Sequence, residues 1–168
     1  MGATVTILIA TDGSKGGDFD PEELAQLRSK EATAAATVLD ANLIQLDFPD
    51  GELSQSEEFA SRLATEILCL QPNLLVAHAP NDYHADHRAV SAGALIAASF
   101  RTPVLWVDPM MGNDFLPNYY VDITPFQDLK EQAILCHISQ GPEHFVEMSR
   151  VQGRFRSSQC GQLEGFAE

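Results

Sequence analysis

Two histidines that flank an aspartate, His84 and His87 around Asp86, are the residues of this sequence best suited to chemistry. Imidazole and carboxylate groups bind zinc and transfer protons near neutral pH. One ring could ligate a metal ion and the other could stabilise a developing oxyanion, with Asp86 orienting a ring. The alternative is a polar loop in which Asp86 only favours the N-terminus of the next helix. Because a catalytic zinc site usually has three protein ligands, this loop alone is expected to bind zinc weakly.

The loop that carries these residues follows an apolar run, residues 74–79, that predicts a buried strand. Ligands of open α/β sheets bind outside the carboxyl ends of the strands, which is where this loop would lie. Three further strands are predicted from short apolar runs, at residues 4–10, 42–48 and 104–107. Helical patterns alternate with these strands, so the sequence predicts a parallel α/β sheet with helices on both faces.

Capping residues mark where the helices begin. Asp20 is predicted to cap the first helix, with Pro21 at its first position. Ser54 and Glu57 are interpreted as a capping box that opens the second helix. Further helices are predicted over residues 89–99, 124–139 and 143–156. Since the chain has 168 residues and no internal repeat or clear linker, it is predicted to form one domain over residues 1–168.

The chain is strongly acidic, with 10 basic and 24 acidic residues and a net charge of −14. A protein with this charge is expected to repel nucleic acid and anionic membranes, so neither is predicted as a partner. The simpler interpretation is that the charge only keeps the protein in solution. We recognise no signal peptide and no apolar run long enough to cross a membrane, and therefore predict a cytoplasmic location.

The cysteines do not indicate a disulfide framework. Their number is odd, and the spacing of Cys69, Cys136 and Cys160 contains no C-x-x-C pair. Cys69 and Cys136 lie in helical apolar patterns and are predicted to be buried thiols. A reducing compartment is consistent with this pattern.

Several polar residues give weaker signals. The Gly-rich segment at residues 11–17 does not match the dinucleotide-binding or P-loop patterns, so nucleotide binding is not predicted. Arg28 could contact a sugar hydroxyl or a carboxylate, although an ion pair with Glu31 on the helix surface is the simpler interpretation. His78, in a strand, is predicted to be a satisfied core histidine rather than a ligand. His137 lies near the end of a predicted helix, where the helix dipole alone favours a histidine.

Taken together and in order, these segments resemble the LmbE/PIG-L family of zinc-dependent N-deacetylases. Members of that family remove acetyl groups from N-acetylglucosamine-type substrates. The stretch Asn-Asp-Tyr-His-Ala-Asp-His-Arg at residues 81–88 resembles the family's D-x-H-P-D-H-R, with Ala85 where proline is common. The other segments that carry the resemblance are residues 11–13, Arg28 with Glu31, residues 47–51, residues 121–124, Lys130 and residues 137–140.

The resemblance implies a fold, a cofactor and residue roles. The implied fold is a Rossmann-like (LmbE-like) three-layer parallel sheet, and the implied cofactor is Zn²⁺. His87 would be a zinc ligand, His84 would stabilise the oxyanion or act as the acid, Asp86 would support and orient the site, and Arg28 would contact the substrate. The implied partner is a small N-acetylated amino sugar, and a homo-oligomer is left open.

One family segment is not found in this sequence. The family's A-H-P-D-D-E segment supplies one histidine and one aspartate ligand and the aspartate that acts as general base. It belongs to a first strand, and about one strand and one helix, on the order of 25–30 residues, would be required for it. In a sheet of order 3-2-1-4-5 this strand is central, flanked by the strands at residues 4–10 and 74–79. We therefore expect an N-terminally incomplete domain that is inactive alone.

Two other functions are kept open. The chain could be a non-catalytic carbohydrate-binding or partner-binding member of the same fold, in which case sugar would bind without zinc. It could also be a different hydrolase that uses His84 and His87 together with other ligands, such as Asp12. Tight stoichiometric zinc binding by the chain would favour this last interpretation.

Overall fold

The computed structural model describes residues 2–112 and 114–168. The elements in chain order are β1 (Thr6–Thr11), α1 (Pro21–Val38), β2 (Asn42–Phe48), α2 (Glu57–Leu70), β3 (Leu75–His78), α3 (Ala85–Ala98), β4 (Val104–Val107), α4 (Gln127–Leu135) and α5 (Pro142–Gln159). Short 3-10 helices cover Leu53–Gln55, Met110–Gly112, Thr124–Phe126 and Ile138–Gln140. The chain divides into two compact units: the N/C unit, formed by Met1–Pro49 with Asn118–Glu168, and the middle unit, Asp50–Pro117.

In the N/C unit, β1 and β2 form a parallel pair with Thr6 opposite Asn42. The helix α1 connects them, and Asp20 caps it as predicted, because its carboxylate accepts the amide hydrogens of Glu22 and Glu23. The buried apolar side chains of this unit come mainly from α1, α4 and α5: Leu24, Ala32, Ala35, Ala36, Ala133 and Val146.

In the middle unit, β3 and β4 form a second parallel pair, with Leu75 opposite Val104. The helices α2 and α3 pack closely, and Gly93 permits this approach. A Cβ atom at Gly93 would lie 2.8 Å from the Cδ2 atom of Leu63, so the Leu63 side chain would have to shift to admit a larger residue. The core of this unit contains Phe59, Leu63, Ile67, Ala94 and Ala98.

The observed strand pairs are those expected for neighbours in the 3-2-1-4-5 order. β1 pairs with β2, and β3 pairs with β4, both in parallel. Among the described residues, no ladder joins the two pairs. The α/β class with parallel strands is therefore confirmed.

Two helix predictions were wrong in detail. Ser54 lies in a 3-10 turn, and Ser56 caps α2 instead, because its hydroxyl accepts the amide hydrogen of Phe59 at 3.1 Å. The helix predicted over residues 124–139 is broken, because His137 leaves helical geometry with ψ of 58°. After this break the amide of Ser139 donates to Glu31 rather than continuing a helix.

The cysteine prediction was also wrong. Cys69 is exposed and Cys136 is only half-buried. Cys69 follows Ile67 by two positions, about 200° around the helix axis, so it faces away from the core when Ile67 faces it. Within the described residues, every helix is too short or too polar to span a bilayer.

Candidate metal and active site

The loop between β3 and α3 is held in one conformation by its own hydrogen bonds. The carboxylate of Asp82 accepts the amide hydrogen of His84 at 2.8 Å, closing a tight turn. The Arg88 guanidinium donates to the carbonyl oxygens of Asp82 and Tyr83 at 2.7 and 2.8 Å. These bonds tie the loop to the first turn of α3, which begins at Ala85 rather than at residue 89. The side chains of the loop are therefore presented from a fixed backbone.

His87 is oriented by Asp82. Its Nδ1 atom lies 3.0 Å from Oδ2 of Asp82, whose side chain is 3% exposed. A carboxylate beside one ring nitrogen favours the proton there and leaves the lone pair of the other nitrogen free for a metal ion. His87 thus has the partner that zinc-binding histidines commonly have.

Two further imidazole rings surround His87. The ring of His78, the last residue of β3, stacks on it with the centroids 3.8 Å apart and the planes at 4°. The ring of His84 is tilted by 35°, with its centroid 4.7 Å from that of His87. His78 is half-buried beside these polar groups rather than enclosed in the core.

The geometry of this cluster suits a cation. One ligand atom from each of His78, Asp82 and His87 lies within 4.8 Å of the others, and this is a group of the described residues that could hold a metal ion. Nitrogen and carboxylate oxygen donors of this kind are typical of zinc sites. The residues present therefore fit the metal that the resemblance implies.

The protonation states also favour a cation. Burial lowers the pKa of His78, the neighbouring His87 lowers it further, and Asp82 acts in the opposite direction. Burial alone would raise the pKa of Asp82, but hydrogen bonds from the His84 amide and the His87 ring together hold it below its usual value. At neutral pH the cluster thus contains a neutral imidazole and a charged carboxylate, the forms that bind metals.

Asp86 is 3% exposed and binds the backbone. Its carboxylate oxygens accept the amide hydrogens of Gly51 and Leu53 at 2.7 and 3.1 Å. This ties the Pro-Asp-Gly turn to the first turn of α3. In the described contacts Asp86 therefore positions the backbone of the loop. The carboxylate that contacts the His87 ring is that of Asp82.

His84 is exposed and caps α3. Its Nδ1 atom accepts the amide hydrogen of Asp86 at 3.3 Å. This hydrogen bond fixes the proton on Nε2 in the neutral ring, because Nδ1 then acts as the acceptor. An exposed ring with a fixed donor is suited to stabilise a developing negative charge.

Arg28 lies in the N/C unit, where the Gly-rich segment holds its guanidinium. Its Nη1 atom donates to the carbonyl oxygen of Gly13 at 3.1 Å. Gly13 has φ of +68°, and a Cβ atom there would lie 2.6 Å from Nη1 of Arg28. The left-handed backbone favours glycine at this position, and a Cβ atom there would also displace the guanidinium of Arg28.

Glu31 does not pair with Arg28 among the described salt bridges. It is buried, and its two oxygens accept the amide and the hydroxyl hydrogens of Ser139, each at 2.7 Å. The side-chain amide of Gln140 donates from Nε2 to the carbonyl oxygen of Gly16 at 3.2 Å. These bonds connect α1, the Gly-rich segment and the turn after α4 within one unit.

Lys130, another residue of the family resemblance, lies on an apolar cavity of about 440 Å³ in the N/C unit. Burial lowers the pKa of its ammonium group, and Glu131 acts in the opposite direction. The ammonium pairs with the Glu168 carboxylate.

Sequence reasoning missed two residues of the cluster, His78 and Asp82. Asp82 stands two positions before His84, within the segment that carries the resemblance, but no role was assigned to it. His78 was assigned to the core because it ends an apolar run. The signal that could have found it is its place at the carboxyl end of a strand that leads into the loop.

Residues 1–98 match the family model described as PIG-L: GlcNAc-PI de-N-acetylase. This match covers more than half of the chain, and the chain therefore belongs to the PIG-L family. Relatives of known activity include deacetylases. The diacetylchitobiose deacetylase of Thermococcus kodakarensis is 30% identical over 185 aligned residues, which cover 98% of this chain and 69% of that protein.

Solved structures share the fold. An N,N'-diacetylchitobiose deacetylase from Pyrococcus horikoshii matches with a TM-score of 0.80 and 25% identity, covering 98% of this chain and 72% of its own. The 4-carboxy-2-hydroxymuconate hydratase of Pseudomonas putida KT2440 also matches with a TM-score of 0.80, at 23% identity, covering 98% and 81%. At that identity the hydratase shows the fold alone.

Proposed function

We propose that this chain carries part of the active site of a zinc-dependent deacetylase that removes the N-acetyl group of an N-acetylglucosamine-type sugar. The observation that supports this most is the orientation of His87 by Asp82 at the carboxyl end of β3. The ring lies where a catalytic ligand is expected in an open α/β fold. Membership of the PIG-L family and the similarity to diacetylchitobiose deacetylases give the substrate class.

Each residue has a role in this proposal. His87 binds zinc through the nitrogen that Asp82 leaves free, and zinc, when bound, supplies Lewis-acid activation of water and of the acetyl carbonyl. His84 donates a hydrogen bond from Nε2 to the oxyanion. To act as the acid for the leaving amine instead, the ring would have to be in its imidazolium form, in which Nδ1 is also protonated. Asp86 positions the loop through Gly51 and Leu53. Arg28 contacts the sugar, as the resemblance implies.

The test is acetate release from N,N'-diacetylchitobiose. Protein purified from its source cells is expected to release acetate, and a chelator or His87→Ala is expected to abolish the release. The 168-residue chain alone is expected to bind zinc weakly and to release no acetate, because A-H-P-D-D-E does not occur in its sequence. Sugar binding that survives His87→Ala, without acetate release by the source protein, would replace this proposal by the non-catalytic carbohydrate-binding one.

The location and the partners are part of the same proposal. We infer that the protein binds neither nucleic acid nor anionic membranes, because its net charge is −14. The cysteine pattern, without a disulfide framework, supports a cytoplasmic location. Cell fractionation tests the location, and light scattering on the purified protein tests the homo-oligomer that the resemblance leaves open.

A further inference from the structure

We propose that Gly16 and Gln140 are positioning residues for the contact of Arg28 with the sugar. Together with Gly13 they form the arginine seat, which holds the guanidinium of Arg28 in one place and leaves one of its edges for the substrate. The inference rests on the proposed function, which assigns Arg28 to the sugar. The sequence alone gives neither Gly16 nor Gln140 a role.

The guanidinium of Arg28 packs closely against two glycines. A Cβ atom at Gly13 would lie 2.6, 2.7 and 2.8 Å from Nη1, Cζ and Nε of Arg28, so that position lies over the face of the guanidinium. A Cβ atom at Gly16 would lie 2.7 Å from Nη1. Ordinary contacts between such atoms are about 3.5 Å or longer. A side chain at either position would therefore displace the guanidinium.

A chain of hydrogen bonds holds the Gly16 side of the arginine seat. The side-chain amide of Gln140 donates from Nε2 to the carbonyl oxygen of Gly16 at 3.2 Å and to the hydroxyl oxygen of Ser139 at 3.1 Å. That hydroxyl donates to Oε2 of Glu31 at 2.7 Å. Glu31 lies three positions after Arg28 on α1. The chain therefore ties the seat to the same helix that carries the arginine.

Arg28 leaves most of its hydrogen-bond donors unused. A guanidinium has five N–H donors, and in the described contacts that of Arg28 donates from Nη1 to the carbonyl oxygen of Gly13 at 3.1 Å. The carboxylate nearest to it on α1, that of Glu31, accepts hydrogens from Ser139 instead. The Nε and Nη2 atoms form one edge with parallel N–H groups, a geometry that binds two oxygen atoms at once.

This arrangement suits a pair of neighbouring hydroxyl oxygens on a sugar ring. Arg28 is half-buried and already held in one conformation, so binding costs little further side-chain entropy. The arginine seat thus supplies the rigid support that a binding side chain requires. Gly16 acts by leaving room for the guanidinium, and Gln140 acts by holding Gly16.

The test compares two alanine substitutions in the same segment. Gly16→Ala in the source protein should raise KM for N,N'-diacetylchitobiose at least about ten-fold with kcat within about two-fold, because a charged hydrogen bond to the sugar is lost. Gly17→Ala is the control and should leave KM unchanged, because its Cβ would lie 3.5 Å from Cδ2 of Leu24, in ordinary contact. Both glycines lie outside the left-handed region, so alanine strains neither backbone.

A double-mutant cycle shows whether Gly16 acts through Arg28. Arg28→Ala should itself raise KM, and Gly16→Ala should have no further effect in that background. An equal rise with and without Arg28 would overturn the proposal. If circular dichroism shows that Gly16→Ala is unfolded, Gln140→Ala takes its place with the same expectation, and Gln26→Ala, exposed on α1, is its control.

The two proposals can fail separately. Acetate release by the source protein with equal KM in Gly16→Ala and Gly17→Ala would reject the arginine seat and leave the deacetylase in place. If no acetate is released, calorimetry gives the dissociation constant of the same sugar for both variants. Binding that is about ten-fold weaker in Gly16→Ala would then keep the seat and reject the deacetylase, whereas a source protein that does not bind the sugar would overturn both.

Discussion

At the level of single residues, Asp82 and Asp86 lie only four positions apart but have different hydrogen-bond partners. Asp82 accepts a hydrogen bond from the His84 amide and contacts the ring of His87. Asp86 accepts the amides of Gly51 and Leu53. Asp82 therefore acts on a functional ring, and Asp86 acts on the backbone around it.

Asp86→Asn should destabilise the protein by about 1.5–3 kcal/mol, because hydrogen bonds to a charged acceptor are lost and an amide NH₂ would face a backbone donor. The measurement is the free energy of unfolding in urea. Asp18→Asn, at an exposed position, is the control and should change stability little. Equal stability of the two variants would show that the two hydrogen bonds of Asp86 contribute nothing.

His84→Asn should lower kcat for acetate release by the source protein about 10²–10³-fold, the effect of losing one oxyanion donor. Asparagine is a good N-cap residue, so α3 should keep its start. Zinc affinity should not change, since the proposed ligand is His87 and Asp82 accepts the backbone amide of residue 84, which asparagine keeps. Steady-state kinetics with a zinc titration tests this, and an unchanged kcat would exclude His84 from the reaction.

His137 should make stability depend on pH. Burial lowers its pKa, with Arg28 acting in the same direction and Glu31 against it. The unfolded chain, with a histidine pKa of about 6.5, then binds more protons than the folded one just below that pH. The free energy of unfolding should fall as the pH is lowered from about 7.5 to about 5.5.

His137→Asn removes this titration, so the fall in stability with pH should be smaller in the variant than in the unmodified chain. The comparison isolates His137 from His78, whose pKa is also lowered. A steeper fall in the variant would mean that folding raises the pKa of His137 instead.

At the level of the elements, the residues that follow α2 and α3 adopt a strained left-handed backbone conformation. Gln71 after α2 has φ of 46°, and Ser99 and Phe100 after α3 have φ of 46° and 59°. A residue with a Cβ atom is disfavoured in this conformation, which glycine adopts readily. Substitution of glycine in the turns that lead to β3 and β4 is therefore expected to stabilise the protein.

Gln71→Gly should raise the free energy of unfolding by up to about 1 kcal/mol, because relief of left-handed strain exceeds the entropy that glycine loses. The control is Ser61→Gly inside α2, which should lower stability by about 0.5–1 kcal/mol. Urea unfolding of both variants gives the result. Destabilisation by both substitutions would show that the end of α2 is not strained.

At the scale of the whole molecule, the fold does not decide the chemistry. The deacetylase from Pyrococcus horikoshii and the hydratase from Pseudomonas putida both match this chain with a TM-score of 0.80. Function must therefore be argued from the side chains at the site.

Net charge is a property of the whole molecule that can be tested directly.

Raising NaCl from about 10 mM to about 150 mM should raise the thermal midpoint, because the Debye length falls from about 30 to about 8 Å and repulsion within a chain of charge −14 is screened. KCl should have the same effect as NaCl in metal-free buffer. A fall in the midpoint would instead indicate that ion pairs such as Arg150 with Glu131 and Glu147 dominate.

The sequence by itself determined the α/β class, the four strands, the cap at Asp20 and the family. These features depend on residues that are close in the chain: apolar runs, capping side chains and the spacing of His84, Asp86 and His87. Local patterns of this kind determine backbone preference before any tertiary contact forms.

Only the tertiary structure decided which polar groups meet. Asp86 bonds to residues 35 and 33 positions away, and Glu31 bonds to Ser139, 108 positions away. His78 and Asp82 join His87 because β3 ends and α3 begins at particular residues, and a shift of one residue would turn the rings elsewhere. Such contacts depend on the path of the folded chain in space, which the types and spacing of neighbouring residues do not specify.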